Sequence, residues 1–281
     1  MPAELSNPTD PEPFFRLLEI DLEELSRHSN ALDRMRRGEL HGVLVHNLYD
    51  PAILEEVVDR LEQRDPPFVQ TWFPEAFRSW FFGCNLNLTD DLRYYFAEAP
   101  VFMAQLEELF PHDFGVNDYL APILSTLDNG RPFQTPPGPE PGSHYMFTTI
   151  RAHMEGGFIP PHVDNEQTIR PSYAHLRTLV DSHIMSFVVS LCQPEDGGAL
   201  EIYNSTRDVE AKTLTNDDRA EPPNIDGIES VAFQLPAGSM ILVDSGQYLH
   251  RVSPVVGSRK RWAMCSFMAL SRNQESMYCW G

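Results

Sequence analysis

Basic residues are scarce: Lys and Arg total 21 against 41 Asp and Glu, a formal charge of −20. Nucleic acid is recognised by a basic surface that releases counterions, so a phosphate-backbone partner is excluded. Anionic membrane surfaces are disfavoured for the same reason. A small anionic substrate is still allowed, because a few arginines can make a pocket cationic whatever the net charge. Cysteine is also sparse. Cys84, Cys192, Cys265 and Cys279 form no Cys-x-x-Cys pair, which removes a zinc knuckle and a disulfide framework and fits reduced, buried thiols in a cytoplasmic protein. No uninterrupted apolar run approaches the ~18 residues of a membrane span, and Met1–Glu12 is polar, acidic and proline-bearing, so no signal peptide is expected. There is no internal repeat and no HExxH helix.

What is present is ample core-forming material: 42% of 281 residues are hydrophobic. One domain over 1–281 is expected, with a largely helical and loop-like part over 1–143 and a β-rich core over 144–281. Apolar positions at helical spacing over Pro13–Arg37 predict a helix, and Gly42–Asn47 reads as a strand. Asp50 and Pro51 open a second helix as N-cap and first-turn proline, with Ile53, Val57, Val58 and Leu61 as its buried stripe. An aromatic-rich segment over 65–87 reads as irregular and mostly core, and a helix is expected from Asp90 to Phe110. Prolines at 132, 136, 137, 139 and 141 mark a loop. Beyond it, short β-type runs (Met146–Met154, Ile184–Cys192, Leu200–Tyr203, Ser230–Gln234, Ser239–Asp244, Trp262–Leu270) predict an antiparallel sandwich. The expected class is mainly β with α additions, a double-stranded β-helix or jelly roll flanked by N-terminal helices.

Within that core, His162-Val163-Asp164 places an imidazole and a carboxylate two residues apart. On an extended strand both side chains lie on one face. His250 follows the strand near Met240–Asp244. Two histidines and one carboxylate on one face of an octahedron leave three adjacent positions open, the set used for Fe(II) with a chelating co-substrate and O2. With ten histidines in the chain, His-x-Asp alone is weak. Its context strengthens it: Arg259-Lys260-Arg261 enters the next strand, and a 2-oxoglutarate chelating iron needs a cation for its far carboxylate, best a guanidinium. Arg261 is favoured over Arg259. Arg151, on the strand leading to the His-x-Asp segment, is either in the pocket or on an exposed sheet face. His144, His153, His175 and His183 read as ordinary surface or core residues.

Several segments resemble the 2-oxoglutarate oxygenases that include the freestanding indole-alkaloid halogenases and the hydroxylases of N-succinyl amino acids. They are Thr149-Ile150-Arg151, Glu155-Gly156, His162-Val163-Asp164-Asn165, Leu176-Arg177-Thr178-Leu179, Glu195-Asp196-Gly197-Gly198-Ala199-Leu200 and Gly257-Ser258-Arg259-Lys260-Arg261-Trp262. The similarity runs from Gly38-Glu39-Leu40-His41-Gly42 to Tyr278-Cys279-Trp280. It implies Fe(II), 2-oxoglutarate and O2 as cofactors, with release of succinate and CO2. In the halogenases the carboxylate position resembles glycine, which vacates a site for chloride. Here it is Asp164, so the resemblance implies hydroxylation of a small molecule, an N-substituted amino acid or an indole or terpenoid-type natural product. A carboxylated substrate calls for a further arginine, with Arg78, Arg170, Arg177 and Arg207 as candidates. Three other outcomes stay open at this point: desaturation, ring closure or epimerisation at the same iron site; a non-catalytic jelly-roll binding module; and a histidine-rich zinc hydrolase. A homodimer is compatible with all of them.

Overall fold

The computed structural model describes residues 13–111, 113–165, 170–206 and 223–281. In chain order its strands are β1 (Leu17–Asp21), β2 (Gly42–His46), β3 (Gln70–Trp72), β4 (Ser79–Phe82), β5 (Phe133–Gln134), β6 (Thr149–His153), β7 (Ile159–His162) and β8 (Met185–Cys192). They continue as β9 (Asp196–Gly197), β10 (Leu200–Thr206), β11 (Ser230–Phe233), β12 (Met240–Val243), β13 (Tyr248–Val252), β14 (Val255–Val256), β15 (Arg261–Leu270) and β16 (Met277–Trp280). The α-helices are α1 (Ala31–Arg36), α2 (Pro51–Gln63), α3 (Leu92–Leu109) and α4 (Ala121–Leu127).

A major sheet runs β1-β2-β12-β8-β15-β6-β4-β3, with β16 on the far half of β15 and β5 beside β16. A minor sheet runs β11-β10-β13-β7. The mainly β jelly roll expected from the alternating runs is what forms. Period-2 alternation sorts the two faces of the major sheet. Phe82, Ile150, Ala152, Phe187, Val189, Leu242, Trp262 and Met264 pack with Leu54, Val57 and Leu61 of α2 and Phe102 and Leu106 of α3. On the opposite face Leu44, Ile241 and Val243 meet Leu200 and Ile202 of the minor sheet. That apolar contact closes one end of the sandwich. Toward its other end the inward positions of the central strands are small or polar: Ser186, Ser190, Ala263 and Cys265. Side chains of that size leave room between the sheets.

Asp50 caps α2 as expected, its carboxylate accepting the Ala52 N–H at 2.8 Å, although the fully buried stripe is Leu54, Val57 and Leu61. Asp91, one residue past the expected start, caps α3. The helix expected over Pro13–Arg37 is not one element: it divides into β1, a 3-10 turn over Leu22–His28 and α1. Parallel pairing of β1 with β2, Leu17 opposite Gly42 through Asp21 opposite His46, gives that backbone a ladder a lone helix would not share, so tertiary pairing overrides local periodicity. The aromatic segment read as irregular supplies β3 and β4, which extend the major sheet. Its rings are largely core, Phe82 stacking on Trp262 with centroids 5.7 Å apart. Among the described residues no helix is long and apolar enough to cross a membrane.

Candidate metal centre and its cationic wall

β7 carries Pro160 and Pro161 and lies at the edge of the minor sheet, the place where a missing N–H costs no ladder bond. Its last residue, His162, stands directly opposite His250 of β13. The chain then turns, and the Asp164 N–H donates to the Ser245 carbonyl at 2.9 Å. That bond ties the carboxylate to the Asp244–Gln247 turn between β12 and β13. His250 therefore sits inside a strand, where the sequence had suggested only a position following one.

The result is a compact cluster. His162 Nε2 lies 3.5 Å from Asp164 Oδ1, His250 Nε2 lies 3.9 Å from the same oxygen, and the two rings are 4.3 Å apart. Ligand atoms bound at about 2.1 Å to one ion are spaced by about 3 to 4 Å, so these residues fit a shared metal. Among the described residues this is the only group of three or more His, Cys, Asp or Glu side chains so placed. Each histidine is held by a carbonyl two residues before it: His162 Nδ1 to Pro160 O at 2.8 Å and His250 Nδ1 to Tyr248 O at 2.9 Å. A carbonyl can only accept, so Nδ1 carries the proton in each ring and Nε2 presents its lone pair.

The electrostatics of the cluster suit a bound cation. Burial presses against a charge on His162, but the hydrogen bond and charge of Asp164 outweigh it and raise its pKa. His250 is pushed down to about 4, by burial first and then by His162. For Asp164 burial acts upward, yet His250 and His162 hold the carboxyl below its ordinary range.

Beside the cluster, β6 and β15 raise a cationic wall. Their register sets His153 opposite Arg261 and Arg151 opposite Ala263, and directly opposed antiparallel residues share a face. Arg261 is 7% exposed; burial, then the Arg151 charge, lowers its pKa. Among the described residues neither guanidinium meets a carboxylate. Arg151 Nε is buried with no hydrogen-bond partner, while its head lies over the Phe73 ring at 5.8 Å. Its charge is felt by His162, His250 and Arg261 alike, so Arg151 lies near both the cluster and Arg261. A buried cation without a carboxylate beside it, as Arg261 is, is rare in folded proteins, and the half-buried Arg151 adds a second positive charge to the same wall.

The Glu195-Asp196-Gly197-Gly198 segment explains itself at this wall. Gly198 has φ +65°, and a Cβ there would lie 2.9 Å from Arg261 Cδ. The missing side chain lets the arginine stem pass. Arg259, by contrast, is exposed, with Nη2 donating to the Pro194 carbonyl at 3.1 Å. Lys260 pairs with Glu62 at the surface.

The remaining candidates disperse. Arg78 and Arg177 are exposed, Arg170 is half-buried, and Arg207 lies outside the described residues. His144 is exposed, His175 stacks on Tyr145, and His183 Nε2 meets Asp244 Oδ1 at 3.0 Å. His153 is buried at the cationic wall. Sequence reading did not find Tyr173, a buried side chain whose environment includes Asp164, Arg170 and Arg151. A lone tyrosine between 3-10 turns carries no periodic signal, and only the fold brings it to the site.

A jelly roll holding this cluster at the mouth of its minor sheet has the fold of the 2-oxoglutarate and iron(II) oxygenases. Residues 14–281 match the family described as the carrier-protein-independent halogenase WelO5, and the chain belongs to it. Among solved structures it is similar to an N-substituted L-amino acid dioxygenase from Burkholderia ambifaria AMMD, at 8% identity and TM-score 0.53, covering 90% of this chain and 91% of that one. The same dioxygenase in complex with alpha-KG matches at 9% identity and TM-score 0.52, covering 90% and 91%. A Pseudomonas putida prolyl-4-hydroxylase matches at 14% identity and TM-score 0.41, covering 86% and 96%. No curated protein sequence matches the chain.

Proposed function

We propose that this protein is an iron(II)- and 2-oxoglutarate-dependent oxygenase that hydroxylates a C–H bond of a small molecule, releasing succinate and CO2. The observation that carries the reading is the juxtaposition of a two-histidine, one-carboxylate cluster with two arginines that have no carboxylate partner among the described residues. The family match over residues 14–281 supports it. So does the fold shared with a dioxygenase that binds alpha-KG.

In this reading His162, Asp164 and His250 would hold Fe(II), a donor set that leaves the metal free to take up co-substrate and O2. Iron with 2-oxoglutarate and O2 supplies the oxidation of an unactivated C–H bond, coupled to decarboxylation of the co-substrate. The protein supplies position and charge. Arg261 takes the far carboxylate of 2-oxoglutarate, its planar fork matched to two oxygens. Arg151 offsets the negative charge gathered between the cluster and Arg261. Arg259, tied to the surface turn, has no part in the grip. With Nδ1 of each ring donating to Pro160 or Tyr248, Nε2 is the nitrogen each imidazole turns toward the metal. Phe73, Phe77 and Phe158 form a half-buried aromatic cluster next to Arg151, suited to the apolar part of a substrate.

Asp164 bears on halide. A metal position filled by carboxylate is unavailable to halide, which favours hydroxylation over halogenation even though the family is described by a halogenase. The substrate is an N-substituted amino acid or an indole or terpenoid-type natural product. The whole chain acts as one domain, and its unpaired cysteines suit the reducing cytoplasm. The test is anaerobic loading with Fe(II) and 2-oxoglutarate, exposure to air with candidate substrates of both classes, and mass analysis. One added oxygen per succinate is expected. Succinate with loss of two hydrogens would replace hydroxylation by desaturation.

A further inference from the structure

At the cationic wall one side chain has no role in the account so far. His153 is 0% exposed, and neither ring nitrogen has a hydrogen-bond partner. Buried polar atoms are normally paired, and an imidazole with both nitrogens empty is a larger exception than a single orphaned hydroxyl. His153 stands opposite Arg261 in one ladder and opposite Ser79 in the next. Ser79, Arg261 and His153 thus form one row across β4, β6 and β15. The Ser79 hydroxyl, 1% exposed, is unpartnered as well.

The unpartnered atoms of this row call for a polar partner, and the Arg261 guanidinium beside them favours a negative one; a carboxylate answers both demands. Burial, and then the charges of Arg261 and Arg151, keep His153 neutral, and a neutral imidazole offers one N–H donor and one acceptor. A third buried cation would have added repulsion beside two guanidinium groups; a neutral donor adds a directed hydrogen bond without it. Hydrogen bonds to a charged acceptor are about twice as strong as neutral ones. Arg261 provides charge and a planar fork, and His153 provides a further direction.

We infer that His153 donates an imidazole N–H to the carboxylate held by Arg261, so that a dicarboxylic 2-oxo acid is distinguished from a 2-oxo monoacid by two side chains rather than one. This rests on the reading above that 2-oxoglutarate is the co-substrate. A histidine that merely fills space in the sheet would affect every ligand alike. A histidine that touches the far carboxylate affects only ligands that have one.

The experiment is calorimetric titration of the Mn(II)-loaded protein, without O2, using 2-oxoglutarate and 2-oxobutyrate, which lacks the far carboxylate. Parent, His153→Phe and His153→Gln are compared, with circular dichroism and metal stoichiometry checking the fold. His153→Phe is expected to weaken 2-oxoglutarate by about tenfold or more and leave 2-oxobutyrate unchanged, with His153→Gln recovering part of the loss through its amide donor. Equal weakening of both ligands, or no weakening of 2-oxoglutarate, overturns the inference. A parent that binds neither acid overturns the co-substrate reading instead. Should the variants not fold, the ring nitrogen resonances of His153 in the Zn(II)-loaded parent serve: a shift on adding 2-oxoglutarate but not 2-oxobutyrate is expected, and no shift with either is the contrary result.

Discussion

His162 and His250 are direct partners across the β7–β13 ladder, and their rings lie 4.3 Å apart. Each donates Nδ1–H to the carbonyl two residues earlier in its own strand. Strand pairing, not side-chain flexibility, therefore sets the spacing of the two imidazole ligands, and Asp164 is brought in by a separate backbone bond to Ser245.

Asp164→Gly removes the carboxylate but leaves that backbone bond available. Hydroxylation is expected to fall by at least about a hundredfold, since the loss of a charged ligand weakens both iron affinity and geometry. Chloride or bromide added to this variant is expected to enter the vacated position and yield some halogenated product. Product analysis by mass spectrometry checks both effects; undiminished hydroxylation would remove Asp164 from the ligand set.

Arg261→Ala is expected to raise the 2-oxoglutarate concentration needed for half-maximal succinate formation by about 30-fold or more, the scale of about 2 kcal/mol or above for a buried charged hydrogen-bond partner. Iron binding should be nearly intact. Arg259→Ala, changing an exposed turn, is expected to shift the requirement by less than about twofold. A reversal of the two results would reassign the grip.

Gly198→Ala tests how the arginine is aimed. At φ +65° a non-glycine residue is strained by about 1 to 2 kcal/mol, and its Cβ would meet the Arg261 stem at 2.9 Å. The expected outcome is a lower Tm together with a raised 2-oxoglutarate requirement at unchanged metal stoichiometry. Lower stability with an unaltered requirement would confine Gly198 to the fold.

The metal-free protein should be most stable near the ordinary histidine pKa. Below 6.5, His250, held down to about 4 chiefly by burial, takes up a proton more readily when unfolded, so stability falls as pH drops toward 4. Above 6.5, His162 holds its proton longer when folded, because Asp164 outweighs burial. The stability it contributes is present below the unfolded pKa and lost as pH rises through the folded one. A bound divalent ion replaces that proton, so metal-induced stabilisation should grow with pH over the same range. Thermal unfolding across pH, with and without Mn(II), checks this; a metal effect that shrinks as pH rises would contradict the assignment of His162.

The sequence carried those parts of the site that depend on local spacing. His162-x-Asp164 on an extended strand, the later His250 and the cation run ending in Arg261 were all visible because strand alternation fixes which side chains share a face. Local spacing does not separate Arg261 from Arg259: it is β15 that turns its first residue, Arg261, inward, while Arg259 in the preceding turn bonds to Pro194. His153 read as an ordinary histidine, since its significance lies in pairing with Arg261 on a strand distant in sequence. The Pro13–Arg37 helix failed for the same reason: Leu17–Asp21 has helical spacing on its own but a parallel partner in Gly42–His46. Non-local pairing is the information that local periodicity lacks.

The most direct test of the central claim is succinate production by the Fe(II)-loaded protein with 2-oxoglutarate, air and candidate substrates, measured beside Asp164→Ala. The account predicts iron-dependent succinate matched by one oxygen gained on a substrate, with both collapsing in Asp164→Ala. Succinate and product formed equally well by the variant, or formed without iron, would contradict it.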